Sequence, residues 1–458
     1  MSKFDNINIP DNLDEVTKKA INRGKNHKRK IRYRKIAVAS LVVISIGIVG
    51  IMNTSLADSI PIISKISQYF NDNIKSLYQS DKEDFEETGT DFDLTAEDKG
   101  IELTLDSVSI DENYLVIFYT IESDEKISDL VDMNKYKSAD HVSPLLDAYK
   151  DGENITPFGL VEHEATYISD NKLKGMRKID VSETTIENNE KIEIRTDEIF
   201  GKKGDWSISV NVDKSKAIEN TRVYNINKDF VVNNKYYDEE AKKEVKVKHE
   251  ITVEKVIISP LANKIIIKEK PVKLSNSWYA TLDTNFVLFD EKGNMLDILD
   301  KGSFMSTSEA SKSIEFLGAD EDIKSITLVP ISDYTNVKNH LLEPQSMDNL
   351  PIKLEVSDYG KIVIEDFEIT DKEVKYTYSK EGIVPFYPTI FFYDQDGNKV
   401  GINCTIEESI DRHTGRYTVT RKLYKNNDME KIRSIKKVSA FSDDSLRVFY
   451  EYKVKIDL

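Results

Sequence analysis

The chain has 458 residues, a formal net charge of −17 and one cysteine, Cys404. A lone cysteine excludes an intramolecular disulfide and a cysteine-rich zinc site. Apolar residues at 39% beside charged residues at 32% suit several small hydrophobic cores better than one large one.

The charge is unevenly placed: residues 1–35 carry a net +7, so the remainder carries −24. Pro10 and Asp11 precede Leu13, Val16 and Ala20, whose i, i+3, i+7 spacing predicts a short helix with one apolar stripe. So short a helix is marginal in water, and the stripe is expected to order against a partner or the membrane. A basic cluster follows, ending in Lys28, Arg29, Lys30, Arg32, Arg34 and Lys35.

Residues Ile36 to Met52 are uncharged and apolar. As a helix this run reaches roughly 26 Å, near the ~30 Å hydrocarbon thickness, and Asn53 and Thr54 extend it. The sequence therefore predicts a single transmembrane helix over 36–54. The basic cluster fixes a cytoplasmic N-terminus, and the bulk of the chain is expected outside the cell membrane. Basic residues beside a span point to the membrane surface, not to nucleic acid. Ser55-Leu56-Ala57 before Asp58 also fits a signal-peptidase site. A retained anchor and a cleaved signal both stand, the long basic region and long apolar run favouring the anchor.

Residues 55–90 read as a juxtamembrane helix and an acidic linker. Ser59 is placed to cap a helix starting near Ile60-Pro61, with Ile62, Ile63, Ile66, Tyr69, Phe70, Ile74 and Leu77 at helical spacing. That stripe is expected to dock on the following domain, with the outer leaflet as the alternative. Residues 81–98 hold nine acidic residues with Gly89 and read as a solvated linker.

From residue 100 the apolar period becomes two. Ile101 to Ile110, the turn Asp111-Glu112-Asn113, and Tyr114 to Ile121 read as strand, turn, strand. The same order returns at Ile251 to Ile258 with Ser259 to Asn263, and at Ile362 to Ile369 with Thr370-Asp371. Each unit closes on a further strand: Trp206 to Val212, Ile323 to Ile331, and Ile435 to Phe441. A helix is also expected near Lys126 to Tyr136. The fold class is mainly β, with about three tandem antiparallel β-sandwich-like modules at 91–228, 244–354 and 355–458, and a linker at 229–243. A barrel also satisfies the period.

Candidate chemistry is sparse. Asp394-Gln395-Asp396-Gly397-Asn398 starts like a calcium loop, but glycine falls at position 4 instead of 6. It and Asp290 to Asn294 read as hairpin turns. His163-Glu164-Ala165-Thr166-Tyr167 lacks the second histidine of a zinc helix. Ser169-Asp170-Asn171-Lys172 holds fragments of the penicillin-recognising serine enzymes without the Lys-Thr-Gly strand. Cys404 reads as a buried small hydrophobe in a strand. Trp206 and Trp278 read as core, and the six histidines form no local cluster. No catalytic residue, metal ligand or cofactor-binding residue is expected, and the chain does not read as an enzyme.

The leader Ile9 to Leu13, the basic stretch, the single span and Ala57-Asp58-Ser59-Ile60-Pro61-Ile62-Ile63 resemble the domain of unknown function 4179 family. Gly100 to Leu115 is similar to that family's first paired strands, and 245–355 to a β domain that often accompanies it. The resemblance implies a membrane-anchored, anti-sigma-factor-like protein of a Gram-positive bacterium. An extracytoplasmic-function sigma factor would then be the partner of the N-terminal tail, through Leu13, Val16 and Ala20. The leading expectation is a non-catalytic envelope sensor or anti-sigma-like regulator whose ectodomain binds an envelope ligand. The alternative is a structural or adhesive envelope module.

Overall fold

The computed structural model describes residues 64–74, 76–132, 138–157, 161–238, 242–270, 272–273, 281–282, 284–305, 310–317, 323–332, 338–385, 387–412 and 414–458. The tail stripe, the basic cluster, the predicted span, Ser59 to Ile63, Trp278, His27 and His413 lie outside the described residues. Among the described residues no helix is long and apolar enough to cross a membrane. All of them belong to one compact unit, 63–458.

The first module uses β1 (Gly89–Asp98), β2 (Ile101–Ile110), β3 (Tyr114–Ser123), β4 (Asp147–Lys150), β5 (Glu153–Asn154), β6 (Val161–Ser169), β7 (Lys172–Asp180), β8 (Glu190–Ile199) and β9 (Lys202–Val212). Two antiparallel sheets, β1-β2-β3-β7-β6 and β5-β4-β8-β9, close on one core. Trp206 is buried in it and donates from Nε1 to Ile101 O at 2.8 Å.

The second module uses β10 (Arg222–Asp238), β11 (Lys243–Ile258), β12 (Asn263–Glu269), a ribbon of β13 (Val272–Lys273) and β14 (Thr281–Leu282), then β15 (Asn285–Phe289), β16 (Met295–Leu296), β17 (Ile298–Met305), β18 (Ala310–Phe316) and β19 (Ser325–Ser332). The third uses β20 (Gln345–Ser346), β21 (Ile352–Ser357), β22 (Gly360–Ile369), β23 (Glu373–Gly382), β24 (Ile390–Tyr393), β25 (Lys399–Val400), β26 (Cys404–Asp411), β27 (Arg416–Leu423) and β28 (Lys437–Ala440). Their large sheets, β10-β11-β12-β18-β17 and β21-β22-β23-β27-β26, repeat the strand order of the first module.

The repeat extends to an irregularity. In each module the second strand carries a β-bulge, after Leu105, Val253 and Ile364. The extra residue flips the inward parity, so Leu103 and Leu105 face the core but so do Val108 and Ile110. An acidic residue sits at each bulge. Asp106 accepts from Thr120 Oγ1 at 2.6 Å, Glu254 pairs with Lys268 at 2.7 Å, and Glu365 accepts from Ser379 Oγ at 2.7 Å.

The second sheets differ in one strand. In the first module β9 follows β8 and pairs with it. The strand after β19 is β20, but β20 pairs with β28 of the third module. The strands after β28, namely β29 (Arg447–Val448) and β30 (Val454–Asp457), pair back onto β19 of the second. Modules two and three have thus exchanged their ninth strands. Ile456, 1% exposed, belongs to the core of the second module although it is third from the end of the chain.

Several expectations are corrected. Residues 229–243 are not a linker: 229–238 continue β10 and Lys243 opens β11, because Phe230 and Val232 supply inward positions against Ile251 and His249. The strand that matches β19 and β28 in the first module is β8, not Trp206 to Val212. The boundary at 354/355 fails, since β21 runs across it and the exchanged strands cross it in both directions. Of the helix expected near Lys126 to Tyr136, Ile127–Leu130 is helical, and Val131 is already extended.

The acidic linker also contains structure. Helix α1 (Lys65–Asp72) is capped by Ser64, whose Oγ accepts from Ser67 N at 3.0 Å. A 3-10 turn (Gln79–Asp81) leads into α2 (Lys82–Thr88), and β1 begins at Gly89. Phe85 organises the segment despite its acidic neighbours. It joins Ile66, Tyr69, Phe70, Val116, Phe118 and Met176 in a separate cluster on the outer face of β3 and β7. Ile66, Tyr69 and Phe70 of the expected stripe dock on the following domain, while Ile74 and Leu77 stay exposed.

Candidate functional site: an ionic junction of all three modules

Polar contacts tie the N-terminal helices to the first and third modules, and Arg412 carries the connection on to the second. Glu164, on β6, receives most of the polar groups that end α1. Tyr69 OH donates to its Oε1 at 2.8 Å, Leu77 N to its Oε2 at 3.2 Å, and Ser76 Oγ to Oε1. Burial pushes this carboxyl up, against the hydrogen bonds from Ser76, Tyr69 and Leu77. The His163-Glu164 pair thus lies on a strand, and its glutamate clasps a helix.

Next to it, Asp81 closes the 3-10 turn and meets Arg412, which sits in the turn between β26 and β27 of the third module. Arg412 Nε donates to Asp81 Oδ2 at 2.9 Å, and its Nη1 lies 2.5 Å from Oε1 of Glu315 on β18 of the second module. Ser80 Oγ adds a bond to Ile410 O at 2.9 Å. The other face of Glu315 belongs to the first module. Tyr114 OH donates to Oε2, and Lys178 Nζ lies 4.0 Å from it. Lys264 of the second module pairs with Asp180 of the first at 2.6 Å, and both lysines stand over the Tyr114 ring at 4.1 and 3.8 Å.

Electrostatics follow from that enclosure. Burial opposes the Glu315 charge, but Arg412, Lys178 and Lys264 outweigh it and hold its carboxyl at about 2. Burial likewise works against the Arg412 guanidinium, and Glu315 and Asp81 raise it above its ordinary value. Lys264 is lowered by burial, with Asp180 and Glu315 opposing. Such a cluster keeps Glu315 and Arg412 as a charged pair. Its chemical capacity is to hold four chain segments in one geometry.

A turn-to-turn contact supports it. The buried Asp111 carboxylate accepts from Asn113 N at 2.7 Å and Tyr114 N at 2.8 Å within its own turn. It also accepts from Ser259 Oγ at 2.6 Å and Leu261 N at 2.8 Å in the matching turn of the second module. Asn113 Nδ2 donates to Ala262 O at 2.7 Å. The sequence shows both turns; only the fold brings them together.

Other polar clusters serve the frame. Glu269, the last residue of β12, accepts from His249 Nδ1 and Lys312 Nζ at 2.5 Å each and from Thr284 N at 3.0 Å. Burial opposes its charge, but His249 and Lys312 hold it at about 2. Ser442, His340 and Asp444 carry the residue types of a hydrolytic triad. Both Ser442 Oγ at 2.9 Å and Asp444 Oδ2 at 2.6 Å meet the same ring nitrogen, Nδ1, whereas a proton relay needs opposite nitrogens. They pin the point where the exchanged strands cross. Asp394 and Asp290 each accept from the backbone and side chain of the asparagine four residues on, so both loops are hairpin turns. Ser169 to Lys172 is the turn from β6 to β7. Cys404 opens β26 and is half-buried, not fully buried. Among the described residues no group of three His, Cys, Asp or Glu side chains is placed to hold a metal ion.

Comparison with known families matches residues 26–123 to a domain of unknown function, DUF4179. A second match, over 234–369, is to a family of unknown function, DUF5643. Both expected resemblances are borne out. The DUF4179 match ends at the last residue of β3, partway through the first sandwich, and the DUF5643 match ends with β22, inside the third. No curated protein matches the chain. A crystal structure of a conserved domain protein from Bacillus anthracis is 16% identical, covering 61% of this chain and 89% of its own, with a TM-score of 0.38. The N-terminal eight Ig domains of Down Syndrome Cell Adhesion Molecule isoform 1.30.30 are 9% identical, covering 72% and 43%, with a TM-score of 0.14. Neither likeness carries an argument about fold or function.

Proposed function

We propose that this protein is a membrane-anchored, non-catalytic extracytoplasmic sensor whose basic N-terminal tail engages an intracellular regulator, an extracytoplasmic-function sigma factor. The observation that carries the reading is Arg412. It ties the helix pair that follows the predicted span to the third module and, through Glu315, to the second. A change in how the modules sit would therefore reach the helix that leads to the membrane. An adhesive module needs no such connection to its anchor.

The test has two arms. Amide exchange across residues 65–88 is compared between the wild-type chain and Arg412→Met; faster exchange in the variant supports coupling, and unchanged exchange sinks it. The immobilised tail, residues 1–35, is then offered to sigma factors. Failure to retain any, with no transcriptional change on deletion of the protein, removes the regulator and leaves the structural module.

A further inference from the structure

Among the described residues Lys264 is the most deeply buried lysine, at 1% exposure. It is the second residue of β12 and lies opposite Glu315 of β18, while Asp180 ends β7 opposite Tyr114 of β3. Two paired strands of each module therefore hold this amine and this carboxyl against each other. Lys264 Nζ lies 2.6 Å from Asp180 Oδ2, yet it meets no hydrogen bond of ordinary alignment. The Tyr114 ring covers Nζ at 3.8 Å, and the Lys178 ammonium stands over the same ring at 4.1 Å.

The other Asp180 oxygen has a different environment. Oδ1 accepts from Ser182 N at 2.9 Å and from Ser182 Oγ at 2.6 Å. The second module clamps that segment in turn: Lys255 Nζ donates to Ser182 O, and Ser311 Oγ donates to Glu183 Oε1 at 2.6 Å. Two donors on one oxygen and an amine against the other polarise a carboxyl toward attack at its carbon. Burial, and Lys178 after it, lower Lys264, against Asp180 and Glu315. An ion pair shut away from water keeps the desolvation cost of both charges, which a neutral amide in its place removes. Strands that fix both groups also make the encounter intramolecular, with an effective concentration far above that of any free amine.

We propose that Lys264 and Asp180 form an isopeptide bond, made by the folded chain on itself, that joins the first and second modules covalently. One proton of the Nζ ammonium passes to Oδ2, leaving an amine and a carboxylic acid. The amine lone pair then makes the bond to Asp180 Cγ, and negative charge gathers on Oδ1 between the Ser182 donors. A second Nζ proton passes to Oδ2, whose bond to Cγ breaks as it leaves as water. The third proton stays as the amide N–H. Atoms and charge balance with no oxidant, cofactor or second substrate. The bond goes beyond the sensor reading and does not depend on it.

The full folded chain, purified in detergent, is unfolded, digested with trypsin and mapped by mass. The wild type should give a branched peptide joining the Asp180 and Lys264 segments, lighter than the two together by one water and uncut after Lys264. Finding only the two linear peptides, with both side chains unmodified, overturns the bond. Lys264→Arg keeps a cation beside Asp180 without the nucleophilic amine and should give no branched peptide. The same segments still joined in that variant overturn the assignment to Lys264. Ser182→Ala should slow the cross-linking of freshly synthesised chain about tenfold or more, read on denaturing gels. An unchanged rate overturns the part given to Ser182.

Discussion

Arg412 and Asp81 are 331 residues apart in the chain and 2.9 Å apart in space. Few pairs so distant in sequence join a helix preceding the first β module to a hairpin turn in the last. Removing the guanidinium leaves two buried carboxylates facing each other's field. Arg412→Met is expected to cost about 3–5 kcal/mol in urea unfolding, and Asp81→Asn less, because Glu315 keeps its arginine. A double-mutant cycle checks this: a coupling energy near zero would show that the pair is only adjacent.

The pH dependence follows from two depressed carboxyls. Glu315 and Glu269 are each held at about 2 in the folded chain, below the ordinary glutamate value. A depressed carboxyl contributes stability that is fully present above its unfolded pKa and is lost as pH falls through the folded one. Each is worth on the order of 3 kcal/mol by that linkage. The part of the unfolding free energy that these two carboxyls supply should be unchanged through neutrality and be lost between about pH 4.5 and pH 2. In Glu315→Gln the acid slope should be shallower, and an unaltered slope would contradict the assignment.

Asp111→Ala removes the acceptor of four donors, two of them across the contact between modules one and two. Loss of about 3 kcal/mol is expected, with faster exchange at Leu261 N. Asp111→Asn keeps a carbonyl oxygen and should retain part of the contact. Equal effects from the two substitutions would point to charge, not to the hydrogen bonds.

Deleting Arg447 to Leu458 takes Ile456 out of the second module and leaves β19 open. Hydrogen exchange should rise in β19 and β15 before it rises in β22 or β23. Loss confined to the third module, whose sequence the deleted segment directly follows, would refute the exchanged pairing. Urea unfolding of the intact chain should show modules two and three in a single transition.

Much of the repeat was legible because it rests on local pattern. Hydrophobic, polar, hydrophobic, acid, polar, hydrophobic reads the same at Leu103 to Val108 and Ile251 to Val256, and Ile362 to Phe367 departs from it only at Val363. The parity break inside each run is the bulge itself. The helix stripe of Ile66, Tyr69 and Phe70 was equally local. The acidic segment misled because nine charges hide one Phe85, and residues 229–243 misled because a strand partnered on one edge keeps its polar face. The junction was not legible at all. Asp81, Arg412 and Glu315 are ordinary surface residues by composition, and only the meeting of three modules buries them. The exchange of ninth strands left no trace either, since each segment is a plausible neighbour of the strand before it.

That exchange limits how such a protein can be taken apart or assembled. A fragment cut between modules two and three parts each from a strand the other supplies, and the bared β19 ladder is an edge on which unrelated chains would nucleate aggregates. During synthesis the second module stays incomplete until residues 447–458 have left the ribosome. A shuffling event that moved either module alone would deliver half a clasp, so the two can be inherited only as a couple.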